Sequence, residues 1–225
     1  MRKNDSDLAW RKWGKEDPYF GVISDPKFLI SNLNDESLTE FFVSGERHVE
    51  HIYDSIRSNG RPSFRADRVL DYGCGVGRLV IPFALHSQTV VGVDVSPGML
   101  EQAQENCERH SVKNARLLHA DDLESLAPRS FDLVHSYIVF QHIPVSRGER
   151  IIEKLITLID EGGVGAIHLT YSDSRSVLHQ TVSALRKRSS LVHGILNVVQ
   201  GVKFSRPLMQ MNSYSINRVF DILID

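Results

Sequence analysis

Short apolar runs alternate with longer amphipathic stretches through the middle of the chain. RVLDY (68–72), TVVGVDV (89–95), ARLLHA (115–120), FDLVHSYI (131–138) and VGAIHLT (164–170) each read as a buried strand. Between them the spacing predicts helices from Gly77 to His86, from Pro97 to about His110, and from about Arg147 to Asp160. Ser96 suits the N-cap of the second of these, and Pro97 its first helical position. The Gly162-Gly163 pair reads as the stop of the third helix, just before the fifth strand. Strands alternating with helices predict an α/β fold, a doubly wound parallel sheet with helices on both faces. Right-handed crossovers then leave few topologies.

The flanks differ. Leu38, Phe41, Phe42, Val49, Ile52 and Ile56 predict a helix over 35–58. Residues 1–34 hold both tryptophans and the turn signals Asp17-Pro18 and Asp25-Pro26, and read as irregular. The chain therefore divides into an N-terminal lid and helix (1–60), a central core (61–173) and a C-terminal helical part (174–225), within one domain.

Composition adds exclusions. The 225 residues are 41% apolar and 24% charged, as in ordinary globular proteins. A net charge of −2 argues against nucleic acid as the partner. Cys74 and Cys107 are too few for a disulfide framework, and no Cys/His spacing suggests a metal. There is no apolar leader and no run long enough to span a membrane, so the expected compartment is the cytoplasm.

The chemistry concentrates at VLDYGCGVGR (69–78). Gly73, Gly75 and Gly77 fall between the first strand and its helix, where a turn needs positive φ. Such a turn also lets a ligand lie on the backbone near a helix N-terminus. The spacing is G-x-G-x-G, and Asp71 stands just ahead of it at the strand end. An acid there disfavours a pyrophosphate and suits an ammonium group, which argues against a dinucleotide oxidoreductase. Cys74, inside the turn, reads as a small buried side chain, and Arg78 as facing solvent or a nearby carboxylate.

This motif resembles that of the class I S-adenosylmethionine-dependent methyltransferases, and the likeness covers roughly residues 40–170 and the helix near 213–224. It implies a Rossmann-like sheet ordered 3-2-1-4-5-7-6. It also implies S-adenosylmethionine as cofactor and S-adenosylhomocysteine as product. By the resemblance, Asp94 at the end of the second strand takes the ribose hydroxyls, and Val95 to Met99 flank the adenine. HADDL (119–123) supplies an acid for the adenine amino group, Asp121 or, preferably, Asp122, beside Leu123. The loop from Ser136 to His142 runs past the methionine part of the cofactor.

A hydroxyl acceptor needs a base, and His142, past strand four at the carboxyl edge of the sheet, is the candidate. Tyr137 and Gln141 are candidates for positioning, and Tyr19 and Phe20 for a lid over the acceptor. The stretch beginning HSYI lacks an N-P-P-Y tetrapeptide, which lowers the case for amino-methylation of bases. The expected activity is O-methylation of a small molecule such as a saccharide, lipid-linked sugar or secondary metabolite. The alternative is a protein of the same fold that binds the cofactor without transfer. Residues 174–206 carry Arg175, Arg186, Lys187, Arg188, Lys203 and Arg206 with no acid, a basic face that either packs in solvent or meets an anionic partner. The family's last two strands find no counterpart before Asp225. The expectation is an incomplete domain whose fifth strand is an exposed edge, open to pairing with a second copy.

Overall fold

The computed structural model describes residues 5–172, 186, 189–199 and 203–224. Arg175, Lys187 and Arg188 of the basic segment lie outside them. Five parallel strands are ordered β3-β2-β1-β4-β5. They are β1 (Arg68–Tyr72), β2 (Thr89–Asp94), β3 (Ala115–His119), β4 (Phe131–Ser136) and β5 (Ile159–Ile167). Among the described residues no further strand pairs with β5, which leaves it at the sheet edge.

The N-terminal stretch departs from the irregular chain that its turn signals predict. It forms helix α1 (Asp5–Glu16) and helix α2 (Pro18–Val22), with Pro18 at the first position of the latter. Propensity alone gives α1 little support, because it contains Gly14 and few aliphatic residues. Tertiary packing supplies the rest. Trp13 is buried, and a Cβ at Gly14 would fall 2.2 Å from the Ser96 hydroxyl, so only glycine lets α1 approach helix α5 (Pro97–Arg109) this closely. Helix α3 (Asp35–Ser58) spans the predicted range and starts at a reciprocal cap between Asn34 and Ser37.

Helix α4 runs only from Val80 to His86, because the glycine turn continues through Leu79. Helix α6 (Val145–Leu158) ends earlier than expected and passes directly into β5. Gly162 and Gly163 therefore lie inside that strand and do not stop a helix. The ladder shifts there: Phe131 partners Ile159 while Leu133 partners Val164, and Gly162 takes the positive φ (+77°) of the resulting bulge. Two C-terminal helices follow, α7 (Ser190–Val199) and α8 (Ile216–Ile224).

Alternation along β1 sorts the core. Val69 belongs to a cluster with Phe41, Val49, Phe83 and the aromatics of the N-terminal helices. Leu70 and Tyr72 face the other way, onto Ile152 and Leu155 of α6 and Val219 and Ile222 of α8. The segment before α8 crosses the carboxyl end of the sheet. The Tyr214 amide donates to Thr170 O (2.8 Å) and its hydroxyl to Ile143 O (3.0 Å). Tyr214 sits where α6 has no side chain: a Cβ at Gly148 would lie 1.9 Å from its hydroxyl oxygen.

That contact sets the sign of a substitution. Helix propensity alone would make Gly148→Ala stabilising by about 1 kcal/mol. The clash with Tyr214 reverses this, and a net loss of roughly 1–2 kcal/mol is expected from overpacking. Urea denaturation of the two proteins measures it, and a gain in stability would contradict this packing.

Candidate active site

The carboxyl ends of β1 and β4 flank the point where strand order reverses, and the main cavity opens there. It encloses about 720 Å³. Its walls come from the glycine turn, the ends of β2 and β4, α1, α3, the stretch Gly21–Ser24, and the C-terminal segment through Met209 and Met211. Much of the lining is apolar, including Trp10, Val22, Leu79 and Ile143.

All three motif glycines take positive φ: Gly73 +80°, Gly75 +53° and Gly77 +84°. Absent side chains also matter at the first two. A Cβ at Gly73 would meet Val139 at 2.2 Å, and one at Gly75 would meet Val22 at 2.5 Å. The turn thus admits a ligand to its backbone and lets two loops close over it. Cys74 is buried, and burial pushes its thiol well above the ordinary range, so it is no nucleophile.

Asp71 is 2% exposed. Its Oδ1 accepts from His135 Nδ1 (2.8 Å), and its Oδ2 has no partner among the described residues. A buried carboxylate oxygen on a cavity wall with nothing to bond is a place for a ligand cation or donor. Asp94 Oδ2 accepts from the Gly75 amide (2.9 Å) and Oδ1 from the Ser96 amide (2.9 Å). Burial raises its carboxyl to about 6, against the downward pull of those amides. Each oxygen keeps a lone pair for a further donor. Val95 and Met99 line the cavity beside it.

The acids after β3 are placed elsewhere. The Asp121 side chain is 82% exposed beside His119 (3.4 Å), and Asp122 is exposed. Neither lines the cavity, whose wall here is Ala120, while Leu123 packs in the core. Ser136 is also internal and donates to Tyr72 O (2.9 Å). Tyr19 and Phe20 are core residues and not part of a lid. The Tyr19 hydroxyl donates to Asn106 Oδ1 (2.8 Å), and only the following residues, from Gly21, reach the cavity. Arg78 is buried on the cavity wall and not in solvent; it donates to the Ser44 hydroxyl (3.2 Å) and feels the nearby Asp71 carboxylate without a close ion pair among the described residues.

Tyr137, Gln141 and His142 do line the cavity. His142 is 8% exposed, its ring 4.9 Å from that of Trp10. Burial lowers its pKa, partly offset by its bond to Gln210 O (2.7 Å). Ile138, in the same loop, adopts φ +59°, a strained value for a β-branched residue. An ion pair between Asp7 of α1 and Arg147 of α6 (2.6 Å), both on the wall, clasps the N-terminal helix over the cavity.

Residues outside the motifs complete the site: His48 and Ser44 from α3, Trp10 from α1, and Met209 and Met211. Ser44 and His48 stand one turn apart on the predicted helix over 35–58, and no motif singles them out. At Gly45 a Cβ would lie 2.3 Å from Arg78 O, so α3 touches the glycine turn there. Met209 and Met211 carry no signal in the sequence. Among the described residues no His, Cys, Asp and Glu group has the geometry to hold a metal ion, and no helix is long and apolar enough to cross a membrane.

Comparison with known proteins agrees with this geometry. Residues 69–163 match the family model described as a methyltransferase domain. The chain is 30% identical over 137 residues to aklanonic acid methyltransferase DauC of Streptomyces sp. strain C5, covering 59% of this chain and 58% of that protein. A shorter stretch of 73 residues is 40% identical to the 23S rRNA (uracil(1939)-C(5))-methyltransferase RlmD of Aeromonas hydrophila, covering 30% of this chain and 17% of that enzyme. The chain thus spans well under two thirds of either relative. Magnesium protoporphyrin IX methyltransferase from Synechocystis, solved with S-adenosylhomocysteine, superposes with a TM-score of 0.53 at 21% identity, over 86% of this chain and 77% of that one. Residues 69–163 thus match a methyltransferase domain, and they lie in a five-stranded sheet ordered 3-2-1-4-5 whose fold resembles that of a methyltransferase solved with S-adenosylhomocysteine.

Proposed function

We propose that the chain is an S-adenosylmethionine-dependent methyltransferase acting on the hydroxyl of a small, largely apolar molecule. The observation that carries this is the unpartnered Oδ2 of Asp71 on the same cavity as the glycine turn and Asp94. Bound S-adenosylmethionine supplies a methyl group activated by its sulfonium. Asp71 Oδ2 accepts from the ammonium group, the role that an acid at this strand end suits. Asp94 accepts the ribose hydroxyls with the lone pairs that its backbone amides leave free. Val95 and Met99 flank the adenine, with Ala120 closing that corner.

The acceptor occupies the remainder of the cavity, among Trp10, Ile143, Met209 and Met211. Methionine and tryptophan favour a flat or irregular apolar ligand. An apolar wall of this kind supports a small molecule over a polynucleotide, although rRNA methyltransferases match 30% of this chain in one case and 50% in another. A saccharide, lipid-linked or secondary-metabolite acceptor remains within this reading, and the aklanonic acid relative favours the last. The Asp7–Arg147 clasp holds α1 against α6 and so excludes water from the transfer.

Calorimetry with S-adenosylmethionine tests the cofactor site. Asp94→Ala is expected to lose about 1.5–3 kcal/mol of binding free energy, the range for bonds to a charged group. The wild type should also bind in a pH-dependent way. Asp94 is ionised above about 6 and protonated below it, and only the carboxylate accepts both hydroxyls. Affinity should therefore plateau at neutral pH and fall about tenfold by pH 5. A flat profile would remove Asp94 from the site.

Methyl transfer is tested with labelled S-adenosylmethionine against a panel of phenols, polyketide acids and reducing sugars. Turnover is expected with an aromatic hydroxyl. Tight binding without label transfer to any of them would favour a binding protein of this fold.

A further inference from the structure

We propose that His48 is the base of this site, accepting the acceptor's proton at Nδ1, and that His135 and Asp71 hold it in the tautomer that can do so. This rests on the methyl-transfer reading above. It moves the base from the loop after β4 to helix α3.

The placement follows from strand register. Asp71 and His135 are direct partners in the parallel β1–β4 pair, so their side chains leave the same face side by side. That face is covered by α3, which brings His48 Nε2 to 3.2 Å from His135 Nε2. The protons are then fixed one by one. An ionised carboxylate only accepts, so His135 carries its proton on Nδ1, 2.8 Å from Asp71 Oδ1. In this proposal His135 carries that one proton only, so that its Nε2 lone pair accepts from His48 Nε2–H. The lone pair of His48 is left on Nδ1, which has no bond among the described residues, in a side chain that lines the cavity.

The surroundings of His48 keep its lone pair free at rest, at a cost in basicity. Burial, then His135 and Arg78 of the glycine turn, lower its pKa to about 4, so it is unprotonated at rest. His51 of its own helix acts in the same direction, and Asp71 of β1 in the opposite one. The Tyr137 ring, from the loop after β4, packs against it at 4.1 Å. As His48 gains a proton, the Asp71 carboxylate behind His135 stabilises the cation. The step balances: the acceptor oxygen loses its proton to Nδ1 and bonds the methyl carbon. The carbon–sulfur bond breaks with its electron pair going to sulfur, and the positive charge ends on His48 until solvent takes the proton.

His142 is arranged differently. Its Nδ1 donates to Gln210 O (2.7 Å), which puts its lone pair on Nε2, and there the Gln141 amide donates at 3.1 Å. Gln141 Oε1 in turn accepts from the Thr170 hydroxyl (3.1 Å). Both ring nitrogens are committed, so His142 holds the C-terminal segment against the cavity and is a positioning residue.

Ring ¹⁵N NMR of the full chain with labelled histidine tests the tautomers without an acceptor, with signals assigned from His48→Gln and His135→Gln. At pH 7 His48 should be neutral and protonated on Nε2, and His135 neutral and protonated on Nδ1. His48 should titrate below pH 5, and Asp71→Asn should mix its tautomers. A proton on His48 Nδ1, or a doubly protonated His135, would overturn the proposal, because no lone pair would then face the cavity. With the acceptor found by the panel above, His48→Gln should lower kcat about 100-fold or more while S-adenosylmethionine affinity stays within about threefold. An unchanged kcat overturns it as well. Failure of S-adenosylmethionine to bind the wild type would instead strike the proposed function, and the nitrogen shifts would still decide the tautomers.

Discussion

A carboxylate buried at the end of the central strand must be given partners, and much of this molecule is arranged around that requirement. Left unpaired in an apolar interior, Asp71 would be protonated or the strand end would open to water. One oxygen is satisfied by His135, which arrives by register on the neighbouring strand. His135 in turn needs a partner for its second nitrogen, and that draws His48 and the helix that carries it. Gly45 lets the same helix touch the glycine turn. The second oxygen of Asp71 is left for whatever enters the cavity. Fold and ligand site thus share one charge.

The glycine turn shows the same economy. Positive φ fixes its path, but the missing Cβ atoms at Gly73 and Gly75 are filled by Val139 and Val22 from two loops that are remote in sequence. The residues that allow a ligand onto the backbone also let the surrounding loops reach it. Strain at Ile138 lies in one of those loops, between buried Ser136 and buried Phe140.

Much of the core was legible because its signals are local. Strand β1 runs over the predicted RVLDY, α3 over the predicted 35–58, and the strand order is that implied by the resemblance. What escaped depends on contacts between distant segments. Helix α1 has weak intrinsic propensity and stands on packing against α5 through Gly14. The glycine pair at 162–163 looks like a helix stop in isolation and is a bulge because β4 fixes its neighbours. In the site, Asp71, Gly73, Gly75 and Asp94 line one cavity, while Gly77 packs against Ala103 instead. Asp121 and Asp122 do not reach it, because the short turn after β3 points them to solvent. The His48–His135 contact was invisible because His48 belongs to no motif and His135 was read only as part of the fourth strand; register and helix packing alone join them.

The crossing of the C-terminal segment over the sheet has an evolutionary consequence. Met209 and Met211 touch the cavity from a stretch without regular structure, anchored by Asn212 and Tyr214 to the backbone of Gln141 and Ile143. The half of the cavity built on the glycine turn and the end of β2 is encoded between residues 71 and 99, while this wall is encoded more than a hundred residues later. Drift in the later stretch can reshape what is admitted without disturbing the strands that hold Asp71 and Asp94. Such a chain can change its diet by editing its tail, and close relatives sharing every motif of the first hundred residues need not share an acceptor.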